Sequence, residues 1–233
     1  NSEPSSGGGP GETTEQIRLQ ALANFPTQNR NVTKADYLIR TLSMPAKFGY
    51  ISKAYVTQDY LVAMDTDKQN FVNNNPLAIS IYILSNNLQG KITRASKTVK
   101  KNLKTYLSYE KMISDAIIIK DAYYANIKVS FDISVLPAYN SQEVLTRCIN
   151  VLKDYFDISK WQINQPIIYS DIYNLIGSVK GVQSVIKVYI DNLAGGNYSP
   201  YSYDIISATK QGIIYPSLDP SIFERSEEHT SEL

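Results

Sequence analysis

Six basic side chains, Arg94, Lys97, Lys100, Lys101, Lys104 and Lys111, recur at helical spacing along one stretch of this 233-residue chain. Lys97, Lys101 and Lys104 fall on a single stripe of the polar side. Clustered ammonium groups recruit anions, either a phosphate backbone or the carboxylates of an acidic protein. A solvated helix face has the same pattern, and the aromatic residues that single-strand readers interleave are missing here. A second candidate is GGNYSPYSY at Gly195–Tyr203, followed by PSLDP at Pro216–Pro220. This stretch is too polar and turn-rich for a core. Tyr198, Tyr201, Tyr203 and Tyr215 are candidate anchors for another chain, or side chains of an extended tail packed on its own domain. Lys97, Lys101, Lys104, Tyr198, Tyr201, Tyr203 and Tyr215 are therefore the candidate protein-interface residues.

Other chemistry has little to work with. Arg225–Leu233, RSEEHTSEL, is the in-frame translation of a widely used sequencing-adapter DNA, and we read 225–233 as non-native. That removes His229, the one histidine, and with it any imidazole for acid–base work or metal binding. No G-x-S-x-G is present. Gly7–Gly11 is glycine-rich but lacks the Gly-Lys-Ser/Thr of a phosphate cradle, and Gly90-Lys91 reads as a loop before a helix. Asp65/Asp67 and Asp154/Asp157 have loop or helix-surface spacing, with a glycosidase pair the remote alternative. Cys148 is the only cysteine, which excludes a disulfide framework, and its place on an apolar helix face marks it as core. Asn31-Val32-Thr33 and Asn197-Tyr198-Ser199 are formal glycosylation sequons. No catalytic, cofactor-binding or metal residues are assigned.

Without 225–233 the chain loses Arg225, Glu227, Glu228 and Glu232, and its formal charge moves from +1 to +3. That bias is too weak to imply nucleic acid by itself. At roughly 100–200 residues per domain the length fits one large or two small domains. Tyrosine dominates the aromatics, with 18 Tyr against 6 Phe and 1 Trp, which suits half-wet sheet faces and interfaces alike. No apolar run approaches the length of a membrane span. The chain lacks an initiator Met, and reads as a gene fragment cut at both ends.

The elements that must position these residues follow from periodicity and punctuation. Residues 1–11 read as a linker, and 13–22 as a short helix. Thr33-Lys-Ala-Asp36 has capping-box spacing before Tyr37, Leu38 and Leu42, and Pro45 ends that helix. Tyr50–Thr57 and Leu77–Leu84 read as strands, the second with Leu77, Ile79, Ile81 and Ile83 on one face; Gln58–Pro76 between them reads as a long loop. Ile92, Ser96, Val99, Leu103, Tyr106 and Leu107 mark a buried helix stripe. Ile127, Val129, Phe131, Ile133 and Val135 alternate with Asn126, Lys128, Ser130, Asp132 and Ser134, predicting a strand with one wet face. Asn140 opens a helix to Phe156, Ser170 caps a shorter one, and Val182–Ile190 reads as a strand. Helix–Gly–strand occurs at Gly49 and again at Gly181. The fold class is α+β: two small domains, each a mainly antiparallel sheet with helices packed on one face, plus an extended C-terminal segment. The boundaries are 1–24 for a linker and short helix continuing from an upstream domain, 25–112 and 113–194 for the two domains, and 195–224 for the tyrosine/proline-rich segment.

Gly8-Gly-Pro-Gly-Glu-Thr-Thr-Glu-Gln-Ile-Arg18, then Ala21, then Gln28-Asn-Arg-Asn-Val-Thr-Lys-Ala-Asp-Tyr37 resembles the phage baseplate J-like family, with its GG…E(S/T)xEexR…A segment leading into RxVTxxDY. Phe48-Gly-Tyr-Ile-Ser-Lys-Ala54 and the Gly195–Phe223 end are similar to the T-even-type wedge members that dimerise into a ring around the tail hub. The resemblance covers most of residues 7–224. It implies a virion structural protein of a contractile tail, assembled in the host cytoplasm and without catalysis or cofactor. Its partners would be itself, as a homodimer, and other wedge subunits, with no small-molecule substrate, membrane or nucleic acid. Two alternatives stand beside it. One is a baseplate component of a bacterial contractile injection system. The other is a binding module for nucleic acid or an acidic ligand through the lysine-rich helix.

Overall fold

The computed structural model describes residues 13–25, 30–58, 78–87, 90–196, 198–217 and 219–226. The 1–11 linker, nearly all of the 58–76 loop, Leu77, Asp65, Asp67, Asn197 and His229 lie outside the described residues. The chain forms two compact units, Asn1–Ala122 and Tyr123–Leu233. Both are α+β, with helices against a mainly antiparallel sheet.

In the first unit, α1 (Thr14–Asn24) precedes α2 (Lys34–Leu42). The Thr33 hydroxyl accepts the Asp36 N–H at 3.2 Å, and the Asp36 carboxylate accepts the Thr33 N–H at 2.8 Å. This is the predicted capping box, with Asp doing the work of Glu. A short 3-10 turn at Ala46–Phe48 leads to Gly49 and then to β1 (Lys53–Gln58). β2 (Ala78–Asn86) runs antiparallel to β1, pairing Lys53 with Leu84. β2 is buried along nearly its whole length, which explains its near-continuous apolar run.

The predicted helix start at Ile92 is corrected. Ile92–Thr93 forms a two-residue strand, β3, paired with Ser85 and Asn86 of β2. The helix, α3 (Lys97–Ser108), starts after Ser96, whose hydroxyl accepts the Val99 N–H at 3.3 Å. Its Val99, Leu103 and Leu107 lie one turn apart and are fully buried against Tyr37, Ile81, Ile83 and Ile117. β4 (Ala116–Asp121), which periodicity did not single out, then pairs with β2 in parallel, Ala78 beside Ala116. A parallel neighbour needs a crossover, and α3 supplies it. This strand belongs to the first unit, whose limit falls after Ala122.

The second unit starts with β5 (Tyr123–Val135) and α4 (Ser141–Tyr155), capped as predicted by the Asn140 side chain. β6 (Ile167–Ile168) leads into α5 (Tyr169–Gly177). Ser170, predicted as that helix's cap, sits inside its first turn; Ile168 precedes the helix and offers no side-chain cap. β7 (Val182–Leu193) pairs antiparallel with β5, with register shifts after Asp132 and Ser134. α5 packs on β7, and α4 on α5. A four-residue helix, α6 (Ile205–Ala208), precedes β8 (Thr209–Lys210) and β9 (Ile213–Ile214), which form a small sheet with β6. Finally β10 (Ser221–Arg225) returns to lie parallel to β5, so the order is β10-β5-β7.

The in–out alternation predicted along β5 is blunted. Ile127 is buried, but Val129, Phe131, Ile133 and Val135 are only half-buried, and Asn126, predicted on the wet face, is buried. Gly49 and Gly181 recur in structure as well as sequence. Both have positive φ (124° and 104°), and a Cβ would lie 2.5 Å from Val99 Cγ2 at the first and 2.6 Å from Val144 Cγ2 at the second. Each glycine lets a strand begin against the buried face of a helix.

Candidate protein interface

Because α3 buries Val99, Leu103 and Leu107, its opposite side must face water, and Lys97, Lys101 and Lys104 are exposed there. At 1.5 Å rise per residue they span about 10 Å of one helix face. The remaining basic residues of the cluster divide. Lys100 Nζ pairs with Asp121 Oδ2 at 2.6 Å, tying α3 to β4, and Lys111 Nζ donates to the Asp115 carbonyl at 2.6 Å. Arg94 is exposed. Among the described residues, Lys97, Lys101 and Lys104 enter no salt bridge.

The tyrosine segment is arranged differently. Tyr201 meets Tyr123 edge-on, with ring centroids 4.8 Å apart, and Tyr203 meets Phe223 edge-on at 5.4 Å. The Tyr203 hydroxyl donates to the Tyr215 carbonyl, and the Ser226 hydroxyl donates to the Tyr198 hydroxyl at 3.3 Å. Burial, then the nearby Asp204 carboxylate, pushes the Tyr203 phenol above its ordinary value. Tyr198, Tyr201 and Tyr203 are half-buried on their own unit, the arrangement of a tail packed on its own domain. Tyr215, 47% exposed, is the one of the four that presents its ring to solvent.

Two asparagines hold this segment, and sequence reasoning missed both roles. Asn126 Oδ1 accepts the Ser199 N–H at 2.8 Å, and its Nδ2 donates to Glu224 Oε2 at 2.9 Å. Asn192 Nδ2 donates to the Asn126 carbonyl at 3.0 Å, and its Oδ1 accepts the Tyr203 N–H at 2.8 Å. An amide offers a donor and an acceptor at once, so each side chain satisfies backbone that no ladder reaches. Their one sequence signal is polarity in strands, which also fits a solvated face.

The remaining described candidates are engaged locally or buried. Asp154 and Asp157 are exposed, and Asp157 accepts the Ser159 N–H and hydroxyl at 2.9 and 2.8 Å, a local turn. Cys148 is fully buried, which pushes its thiol up and leaves it inert. Asn31 of the first sequon is also fully buried, out of reach of a glycosylating enzyme. Among the described residues, no three His, Cys, Asp or Glu side chains gather to hold a metal, and no helix is long and apolar enough to cross a membrane. A cavity of about 100 Å³ lies between the start of α2 and β1, lined by Thr33, Tyr37, Val56 and Ile79 among others. Ligand pockets begin at roughly 300 Å³.

No family model matches the chain, and no curated protein matches it. Among solved structures, it is similar to a chain of the anti-feeding prophage baseplate, determined by cryo-electron microscopy with 6-fold symmetrisation. The TM-score is 0.53 at 13% identity, over 94% of this chain and 42% of that one. The two share a fold, and this chain spans less than half the length of its neighbour.

Proposed function

We propose that this chain is part of a structural subunit of a contractile-tail baseplate, acting by assembly with other baseplate proteins and not by catalysis. The observation that carries this reading is the fold shared over 94% of the chain with a baseplate protein. The sequence resemblance through Gly8–Tyr37 points the same way by an independent route. Within this reading the protein is a wedge subunit of T-even type that forms homodimers and meets further wedge proteins. Lys97, Lys101, Lys104 and Tyr215 lie on contact surfaces, and the protein resides in the virion tail after assembly in the host cytoplasm.

A second reading, a baseplate component of a bacterial contractile injection system, is favoured by the origin of the structural neighbour, an anti-feeding prophage. Co-expressing the chain with the genes that flank it, and isolating assembled particles by sedimentation, tests both. Under the first reading the flanking genes encode a phage tail and the protein sediments with its baseplate; omitting the gene stops baseplate assembly. Complete particles formed without it would overturn the proposal. Flanking genes for an injection system without a capsid would select the second reading.

A further inference from the structure

The turn that follows α3 presents apolar side chains where turn chemistry calls for polar ones. Met112 to Asp115 forms a β-turn closed by the Asp115 N–H donating to the Met112 carbonyl at 3.1 Å. Ile113, at the second position of that turn, is fully exposed at 102% of its reference surface. Gly, Pro, Asn, Asp and Ser dominate such positions for backbone reasons, and an exposed apolar side chain gains nothing there from folding. Tyr109, just before it at the end of α3, is 83% exposed. Asn31 bridges Lys111 in parallel, which sets Val32 (62% exposed) beside Met112 (48% exposed). Four exposed apolar residues thus gather within one turn and the segment bridged to it, more than the single exposed side chains that any surface carries.

The patch is held firmly. Asp115 accepts the Tyr37 hydroxyl at 2.6 Å through Oδ2 and the Ser114 hydroxyl at 3.3 Å through Oδ1, and its carbonyl accepts Lys111 Nζ. Next to it, Glu110 is paired with Arg40, and its backbone carbonyl accepts the Asn31 N–H at 2.9 Å. The two carboxylates of the turn are therefore engaged internally. Exposed Lys104 and Lys101 stand one and two turns back from Tyr109 along α3, and among the described residues neither enters a salt bridge. A pre-ordered apolar anchor beside exposed cations loses little freedom on binding and selects its partner by charge.

We propose that Val32, Tyr109, Met112 and Ile113, flanked by Lys101 and Lys104, form a docking surface for another protein that offers an apolar recess bordered by Asp and Glu. This inference rests on the baseplate reading for the partner's setting, and on the patch itself for the partner's chemistry. Nucleic acid is less well matched, because phosphate tracking has no use for the fully exposed Ile113.

The test uses the full chain and three probes: a fluorescein-labelled amphipathic peptide with Glu at i, i+4 and i+7 beside leucines, a labelled oligo-dT strand, and phosphatidylserine vesicles. Binding should be saturable for the peptide and weaken with salt. It should fall roughly tenfold or more in Ile113→Asp, and again in the Lys101→Glu/Lys104→Glu double variant, at unchanged circular dichroism. Ile113, Lys101 and Lys104 are all exposed, so neither variant removes a core contact; Ile113→Ser provides a neutral second variant. Binding to oligo-dT or vesicles with the peptide ignored, or peptide binding indifferent to Ile113, overturns the inference. Particle incorporation separates it from the baseplate reading. Variants that enter particles as well as wild type overturn the docking surface and keep the baseplate. A wild-type chain that binds the peptide through Ile113 but never enters a particle keeps the surface and removes the baseplate.

Discussion

The lysine face of α3 and the tyrosine segment 198–215 look alike in sequence, each a run of side chains suited to meeting another chain. In the structure one is left over and the other is used. Lys97, Lys101 and Lys104 point away from the core and enter no salt bridge among the described residues. Tyr201 and Tyr203 pack edge-on against Tyr123 and Phe223, and Asn126 and Asn192 clamp the backbone between them. The difference comes from what each residue type can satisfy internally. A tyrosine ring finds apolar partners on its own sheet and its hydroxyl a nearby acceptor, whereas a lysine on the outer face of a helix finds neither. Composition marks a surface as suitable for contact; the domain's own needs decide whether it stays available.

If that contrast holds, replacing both Tyr201 and Tyr203 by Ala should have the largest effect. A loss of about 4 kcal/mol in unfolding free energy is expected, from two truncated rings and a lost hydroxyl bond. Urea denaturation followed by the fluorescence of Trp161 in the same unit reads it; unchanged stability with weakened association would reverse the assignment and make the segment a partner anchor. Asn126→Ala should cost about 2 kcal/mol, because it strands the Ser199 N–H and removes one hydrogen bond to Glu224. Hydrogen exchange should then show the Ser199–Tyr203 amides opening before those of β7.

A smaller effect should appear with pH. The Tyr203 phenol is raised in the folded chain, so the folded state holds its proton more tightly than the unfolded state. The associated stability is complete below the ordinary value of 10.0 and is lost as pH rises through the folded value. Tyr203→Phe should reduce this alkaline loss. It should not abolish it, because burial raises Tyr155 and Tyr169 in the same direction. The smallest effect belongs to the lysines. Lys97→Ala, Lys101→Ala and Lys104→Ala together should change stability by less than about 0.5 kcal/mol. A larger loss would mean that α3 uses them and that the two regions do not differ.

Local signals were the legible part of this fold. The Thr33/Asp36 box and the Asn140 cap were readable because cap chemistry is decided within three residues. Gly49 and Gly181 were readable as a recurrent pattern, although the valines they accommodate lie 50 and 37 positions away. Ile92 misled because it falls in phase with Val99 and Leu103, and periodicity cannot register that it pairs with Asn86 instead. β4 was missed because a short apolar run has no period of its own. Both parallel pairs, β2 with β4 and β5 with β10, depend on partners far away in sequence. The same limit applied at the candidate interface: Lys97, Lys101 and Lys104 could be placed from helical phase alone, but nothing local signalled the exposed Ile113 or the bond from Tyr37 to Asp115 in its turn, 78 residues apart.

Pairing in β10 extends to Arg225, with the Ser226 N–H donating to the Ile127 carbonyl at 2.8 Å. Backbone groups of any residue complete such a ladder, so this pairing is neutral on whether those two side chains are native. The direction of β10 has a mechanical consequence. The second unit begins at Tyr123 in β5, and its last strand, β10, ends at Arg225; these two neighbouring strands point the same way and share five residue pairs. Tension applied between these two points would slide the strands lengthwise and load all their rungs at once, where an antiparallel pair pulled from its open end parts one rung at a time. The second unit is thus wired in shear, the stronger arrangement for a link that carries a pull.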